Sequence, residues 1–236
     1  MATTKKTTHT TVFNLIILDE SGSMSPLKAS TIEGCNSTLD AIRQSAKDFP
    51  NLRQFASIYA FQSGNPKAPS RYLIRNTPID QIGVLTEKNY VPWGGTPLLD
   101  AVGSTLTELE HVAATHEDAT GIVTIITDGE ENSSTDFTWE KVSAIISRLK
   151  ETGWTINLIG ANIDVEQMGK RMSIDDTLSF EATPRGNGMM LKKLQRSRNI
   201  RMNEYNDIWE SNQDASVEKL REIRKEKVSK KDFFKE

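Results

Sequence analysis

Val12-Phe13-Asn14-Leu15-Ile16-Ile17-Leu18-Asp19-Glu20-Ser21-Gly22-Ser23 is the stretch from which the architecture can be read. From Val12 to Leu18 every residue but Asn14 is apolar, with no polar alternation to put one face in water. Such a run reads as a buried strand of the kind found in parallel sheets. The polar loop from Asp19 to Ser25 stops it, and Gly22 lets the backbone bend there. Pro26 then opens a helical stretch to about Asp48, with Leu27, Ile32, Leu39 and Ile42 at core positions.

Outward from this unit, strand and helix patterns alternate. Phe55 to Phe61 is a second strand, and Tyr72 to Arg75 a short alternating one suited to an antiparallel edge. A brief helix around Ile79 to Leu85 is expected next. After Gly94-Gly95, Thr96 reads as an N-cap and Pro97 as the first residue of a helix carrying Leu98, Val102, Thr105, Leu109 and Val112. Ile122 to Ile126 is β-branched throughout and reads as a strand. A helix from Trp139 to Lys150, a strand from Thr155 to Ile159, a short helix from Val165 to Met172 and an edge strand from Leu178 to Phe180 follow. From about Met189 the chain reads as helical, with Leu191, Leu194, Met202, Tyr205, Ile208 and Trp209 as core contacts. The alternation predicts an α/β fold: a Rossmann-like, mainly parallel central sheet with one antiparallel edge strand and helices on both faces. No Pro/Gly/Ser-rich linker and no fixed-period repeat divides it.

Composition narrows the function classes. A chain of 236 residues with 36% hydrophobic content can form a core without staples. A net charge of -3 points neither to a nucleic-acid binder nor to an acidic disordered chain. Cys35 is the single cysteine, which excludes an intrachain disulfide, and its neighbours Ile32, Leu39 and Ile42 make it a small buried apolar residue. Met1 to Thr11 is Thr-rich and polar around Lys5 and Lys6, without an apolar core ahead of a small-residue cleavage site. Val12 to Leu18 is far too short to span a bilayer. The expectation is therefore a cytoplasmic protein with no membrane and no nucleic-acid partner.

In an open parallel sheet, ligands bind where strands end and loops fan out. Asp19-Glu20-Ser21-Gly22-Ser23, Gly94-Gly95-Thr96-Pro97 and Thr127-Asp128-Gly129 all meet that condition and all carry oxygen donors. Donors at alternate positions of the first loop can turn toward one centre. Carboxylates and hydroxyls are hard ligands, suited to Mg²⁺ first and to Mn²⁺ or Ca²⁺ as alternatives; no thiolate or imidazole is offered to zinc. The predicted site is one divalent cation held by Asp19, Ser21, Ser23, Thr96 and Asp128, with one coordination position open.

The pattern Asp19-x-Ser21-x-Ser23, then Thr96, then Asp128 in Thr-Asp-Gly resembles the metal-ion-dependent adhesion site of von Willebrand factor A (vWA) domains, and the sequence around Asp19 is very similar to that family's form. The order of elements from about Thr11 to about Tyr205 is similar to the family's Rossmann-like fold. The resemblance implies hydroxyl ligands from Ser21, Ser23 and Thr96, the two aspartates binding directly or through water, and an acidic residue of a partner protein filling the open position. It also implies an intracellular, single-domain type working within a multiprotein assembly. The expected division is a disordered tail over residues 1–10, the vWA domain over 11–212 and a charged helical extension over 213–236.

The leading expectation is thus a metal-dependent binding module without catalysis of its own. A metal-dependent phosphoryl-transfer enzyme or hydrolase would want a second acid near a nucleophilic Asp, or a phosphate loop with Lys, and neither pattern occurs. A third reading is a metal-independent scaffold acting through the basic stretch Arg185 to Arg201. That stretch and the mixed charges beyond Asp214 read as solvated helix faces. Glu130 and Glu131 read as solvated loop acids. Trp93 either anchors a partner near the metal or packs against the adjacent helix. His9, His111 and His116 show no ligand or triad spacing.

Overall fold

The computed structural model describes residues 9–228 and 231–235. Of the expected tail, residues 1–8 fall outside those described, and Thr10 already opens the first strand. Six strands, β1 (Thr10–Asp19), β2 (Leu52–Phe61), β3 (Arg71–Pro78), β4 (Ala119–Thr127), β5 (Thr155–Ala161) and β6 (Asp176–Phe180), form one sheet in the order β3-β2-β1-β4-β5-β6. All pairings are parallel except β2 with the edge strand β3. Every residue of β1, β4 and β5 is buried, as continuous apolar runs require when helices cover both faces.

Helices α1 (Lys28–Asp48), α5 (Pro184–Ser211) and α6 (Val217–Lys227) cover one face. There Val12, Ile16 and Leu18 pack with Leu39, Ile42, Leu194, Met202 and Ile208. Helices α2 (Leu98–Ala113), α3 (Trp139–Lys150) and α4 (Val165–Met172) cover the other, where Phe13, Leu15 and Ile17 meet Val102, Leu106, Val142 and Ile146. Alternate residues of one strand thus feed two separate cores. Cys35 is buried, and burial pushes its thiol up to about 12, so it packs as an inert apolar residue. Among the described residues, no helix is long and apolar enough to cross a membrane.

Three local expectations are corrected. The helix expected over Ile79–Leu85 is only a 3₁₀ turn, Ile79–Gln81. The side chain of Asn36 bonds both the N–H of Leu85 (2.7 Å) and its C=O (3.0 Å), holding that backbone outside a helix. The helix expected from about Met189 begins at Pro184, where Thr183 caps it by accepting from Gly186 N–H at 3.0 Å. The third concerns the C-terminal charges, which are not all solvated. Arg198 and Arg201 are buried: Arg198 donates to Asn14 Oδ1, and Arg201 to the carbonyls of Val228 (2.6 Å) and Lys231 (3.2 Å). Packing against the sheet desolvates them, and carbonyl and amide oxygens replace water.

The segment after Asn212 also joins the core, through Leu220, Val228, Phe233 and Phe234. Arg224 of α6 is 2% exposed and grips the fully buried carboxylate of Asp118, at the N-terminal end of β4, with both guanidinium nitrogens. Its backbone passes Gly153 so closely that a Cβ there would lie 2.6 Å from the Arg224 Cβ, and Gly153 has φ +85°. Arg224→Ala would leave Asp118 buried without its counter-charge and should destabilise the fold by about 3–5 kcal/mol in urea unfolding. Replacing both residues, Arg224→Met with Asp118→Leu, should recover much of that loss.

Candidate metal centre

Strands β1 and β4 are parallel neighbours, so the loops that follow them leave the same edge of the sheet. The chain proceeds from β1 to β2 on one side, while β4 enters on the other. This is the switch point at which open α/β sheets form a crevice. Asp19 ends β1 and is fully buried; Asp128 directly follows β4.

Each donor is oriented by a named contact. Asp19 Oδ1 accepts from the N–H of Ser21 at 2.7 Å, closing a local side-chain turn. Its Oδ2 accepts from Thr127 Oγ1 at 2.6 Å, across the ends of β1 and β4. The hydroxyls of Ser21 and Ser23 lie 3.1 Å apart, and Ser23 donates to Asp128 Oδ1 at 2.7 Å. Thr96 completes the group from a third loop. A Cβ placed on Gly129 would lie 3.0 Å from Thr96 Oγ1 and 3.8 Å from Ser23 Oγ. The absent side chain of Gly129 therefore leaves a hollow bordered by those two hydroxyls. The structure brings all five predicted residues together.

Thr96 does not cap α2 as expected. Residue 97 holds the N-cap position, and Thr96 makes no cap bond. The exposed amides of α2 are bonded from a distant loop: Leu99 N–H by Glu131 Oε2 (2.8 Å) and Asp100 N–H by Ser134 Oγ (3.0 Å). Glu131 also accepts from the N–H groups of Ser133 and Ser134, so it is a structural acid and not a solvated one. The Asp100 carboxylate returns the contact, accepting from the amides of Thr135, Asp136 and Phe137. Asn132 exchanges two bonds with the Thr96 backbone, at 2.8 and 3.2 Å. Released from capping, the Thr96 hydroxyl is available to the centre.

Sequence reasoning passed over Glu20, Arg71, Tyr90 and Thr127. Glu20 is fully buried and receives two hydrogen bonds from the Arg71 guanidinium (2.7 and 3.1 Å) and one from Val91 N–H (2.5 Å). Tyr90 donates to the Asp19 carbonyl at 2.5 Å. Gly94 adopts φ +68°, and a Cβ there would fall 1.5 Å from the Ser63 carbonyl oxygen, so only glycine fits. Its own carbonyl accepts from Gly22 N–H at 3.0 Å, locking this loop to the first. An acid inside the small-residue loop Asp19–Ser23 was the one signal for Glu20. Nothing in sequence ties it to Arg71.

Burial pushes the Asp19 carboxyl up to about 6; its bonds to Thr127 and Ser21 oppose that rise, and the Asp128 charge adds to it. Asp128 is also raised, again mainly by burial, with the Ser23 bond opposing. Among the described residues neither carboxylate forms an ion pair, and no three His, Cys, Asp or Glu side chains cluster as a cage. Two desolvated carboxylates beside three hydroxyls are a donor set that fits a hard divalent cation, which would supply the missing positive charge.

No family model and no curated protein matches the sequence. Solved structures do. The chain is similar to a von Willebrand factor type A protein from Catenulispora acidiphila (TM-score 0.50, 16% identity), covering 80% of this chain and 42% of that one. It is similar to the open conformation of the pilus adhesin SpaC from Lactobacillus rhamnosus GG (TM-score 0.59, 14% identity), covering 84% and 31%. It also resembles the PilB minor pilin from Streptococcus sanguinis (TM-score 0.53, 10% identity), covering 87% and 63%. In each case it spans less than two thirds of the other chain. With the observed strand order and single antiparallel edge, these likenesses establish the architecture: the chain folds as a von Willebrand factor A-like domain.

Proposed function

We propose that this chain is a protein-binding module. One divalent cation, Mg²⁺ first with Mn²⁺ or Ca²⁺ as alternatives, sits among Asp19, Ser21, Ser23, Thr96 and Asp128, and a carboxylate of a partner protein completes its shell. The observation that carries the reading is the convergence of these five oxygen-bearing side chains, from three separate loops, around two buried carboxylates that lack counter-charge. When bound, the ion supplies a positive charge that attracts an acidic group from outside. The chain's own residues do the rest. Thr127 and the Ser21 amide hold Asp19 in one orientation, Ser23 holds Asp128, and exposed Ser23 and Gly22 leave the rim open to solvent.

A non-enzymatic role agrees with the side chains present. Asp19, Ser21, Ser23 and Asp128 are bonded to one another or to Thr127, and in this reading they serve as cation ligands. Arg71, which reaches the loop after β1, is paired with Glu20. The setting we assign is a multiprotein assembly inside the cell.

Two outcomes test the ion. Asp19 has a folded pKa raised from 3.8 to about 6. In the ion-free protein, the stabilisation from its protonated form is fully present below 3.8 and lost as pH rises through about 6. Cation and proton therefore compete. Above neutral pH, Mg²⁺ at about 100-fold over its Kd should stabilise the fold by about 2.7 kcal/mol, a melting-temperature rise of about 5–10 °C. That rise should shrink as pH falls through about 6. Asp19→Asn should show no Mg²⁺ response, yet melt in chelator no lower than wild type above neutral pH. Equal Mg²⁺ responses in both proteins would remove the basis of the site.

The partner is tested by affinity capture from the native cell. Wild type with Mg²⁺ should retain proteins that chelator releases and that Asp19→Asn fails to retain. Identical capture by both proteins, with chelator making no difference, would sink the bridging role.

A further inference from the structure

Val91 and Trp93 are two of the few large hydrophobic side chains left in water, and both stand on the loop that borders the metal centre. Trp93 is 59% exposed, so it does not pack away against the adjacent helix. The backbone beneath it is fixed. Val91 N–H bonds Glu20 Oε1 (2.5 Å), Trp93 N–H bonds the Glu20 carbonyl (2.8 Å), and Arg71 bonds the Asn89 carbonyl (2.8 Å) while gripping Glu20. Residue 94 is hydrogen-bonded to Gly22 of the ligand loop, which places the root of the indole against the wall of the centre.

An exposed indole on a rigid support can bury its ring against a partner without an ordering cost in its own backbone. Tryptophan is among the residues most often found to dominate binding energy. An extended segment advances about 3.3–3.6 Å per residue. A partner whose carboxylate enters the centre can therefore bring a residue one or two positions away onto Trp93, whose loop is bonded to the loop carrying Asp19.

Building on the metal-bridging role above, we propose that Trp93, flanked by Val91, is an apolar anchor that sets partner choice. The favoured partner is a protein segment whose acidic residue has a large apolar side chain within two positions of it. The acid engages the centre and the apolar side chain covers the indole. Acids flanked only by polar residues leave the ring in water and bind more weakly.

The test is selection of a random dodecapeptide display library on the full chain. It is run on wild type with Mg²⁺, on wild type with chelator, and on Trp93→Ala with Mg²⁺. A retained Mg²⁺-induced rise in melting temperature shows that Trp93→Ala is folded. Wild type should enrich peptides with Asp or Glu next to, or one residue removed from, Leu, Ile, Phe or Trp. Trp93→Ala should still enrich the acid but lose the apolar neighbour, and peptides selected on wild type should bind it about tenfold or more weakly. Three results would overturn the anchor while leaving the bridge intact: acids enriched on wild type without apolar neighbours, an apolar preference unchanged in Trp93→Ala, or the same apolar peptides enriched in chelator alongside Mg²⁺-dependent acids. If no acid is enriched on wild type, the bridging role fails and the anchor with it.

Discussion

Thr127 Oγ1 and Asp19 Oδ2 meet at 2.6 Å across the ends of β1 and β4, and the geometry of the centre descends from that bond. A fully buried carboxylate must find donors, and among the described residues Thr127, through this hydroxyl, and Ser21, through its amide and its side chain, serve Asp19. They fix the orientation of the carboxylate, which sets the path of the loop through Ser21 and Ser23, and Ser23 in turn fixes Asp128. The arrangement is not relaxed. Desolvation outweighs the hydrogen bonds and lifts the Asp19 carboxyl to about 6. In the proposed metal-bridging role, a cation would remove a desolvation cost already present in the fold.

Around this centre, the protein uses buried charge as a locating device. Glu20 with Arg71 ties the loop after β1 to the edge strand β3, and Asp118 with Arg224 ties α6 to the N-terminal end of the central strand β4. Beneath α5, Arg198 reaches Asn14, while Thr124 Oγ1 and Asn157 Oδ1, paired in register on β4 and β5, have no hydrogen-bond partner among the described residues. Buried ion pairs add little net stability over apolar packing, but any packing that breaks one is strongly penalised. Here that penalty discriminates against slipped arrangements of the loop and of the C-terminal helices.

The loop after β4 carries two duties that sequence patterns do not separate. Asp128 and Gly129 belong to the centre, whereas Glu131, Asn132 and Ser134 bond the Thr96 backbone and the first amides of α2. A helix whose cap comes from a loop more than thirty positions away leaves its own N-terminal hydroxyl residue unemployed. That is how a Thr-Pro sequence with every local mark of a capping pair came to offer its hydroxyl elsewhere.

The fold class, and the strand-end loops that carry the five candidate residues, were legible in the sequence because both depend on local chemistry. β1, β4 and β5 are mainly apolar runs, broken at positions such as Asn14, Thr124 and Asn157, that a sheet covered on both faces buries, and oxygen donors follow β1 and β4 where such sheets place loops. Tertiary structure alone decided what depends on partners remote in sequence. It set the bidentate hold of Arg71 on Glu20, the burial of Arg198, Arg201 and Arg224 in stretches that look solvated, the capping of α2 by Glu131 and the exposure of Trp93. The physical reason is the same in each case. Hydrophobic periodicity records which way a residue faces on its own element, but whether a charge is paired, or a ring covered, is settled by groups that only the folded chain brings within a few ångströms.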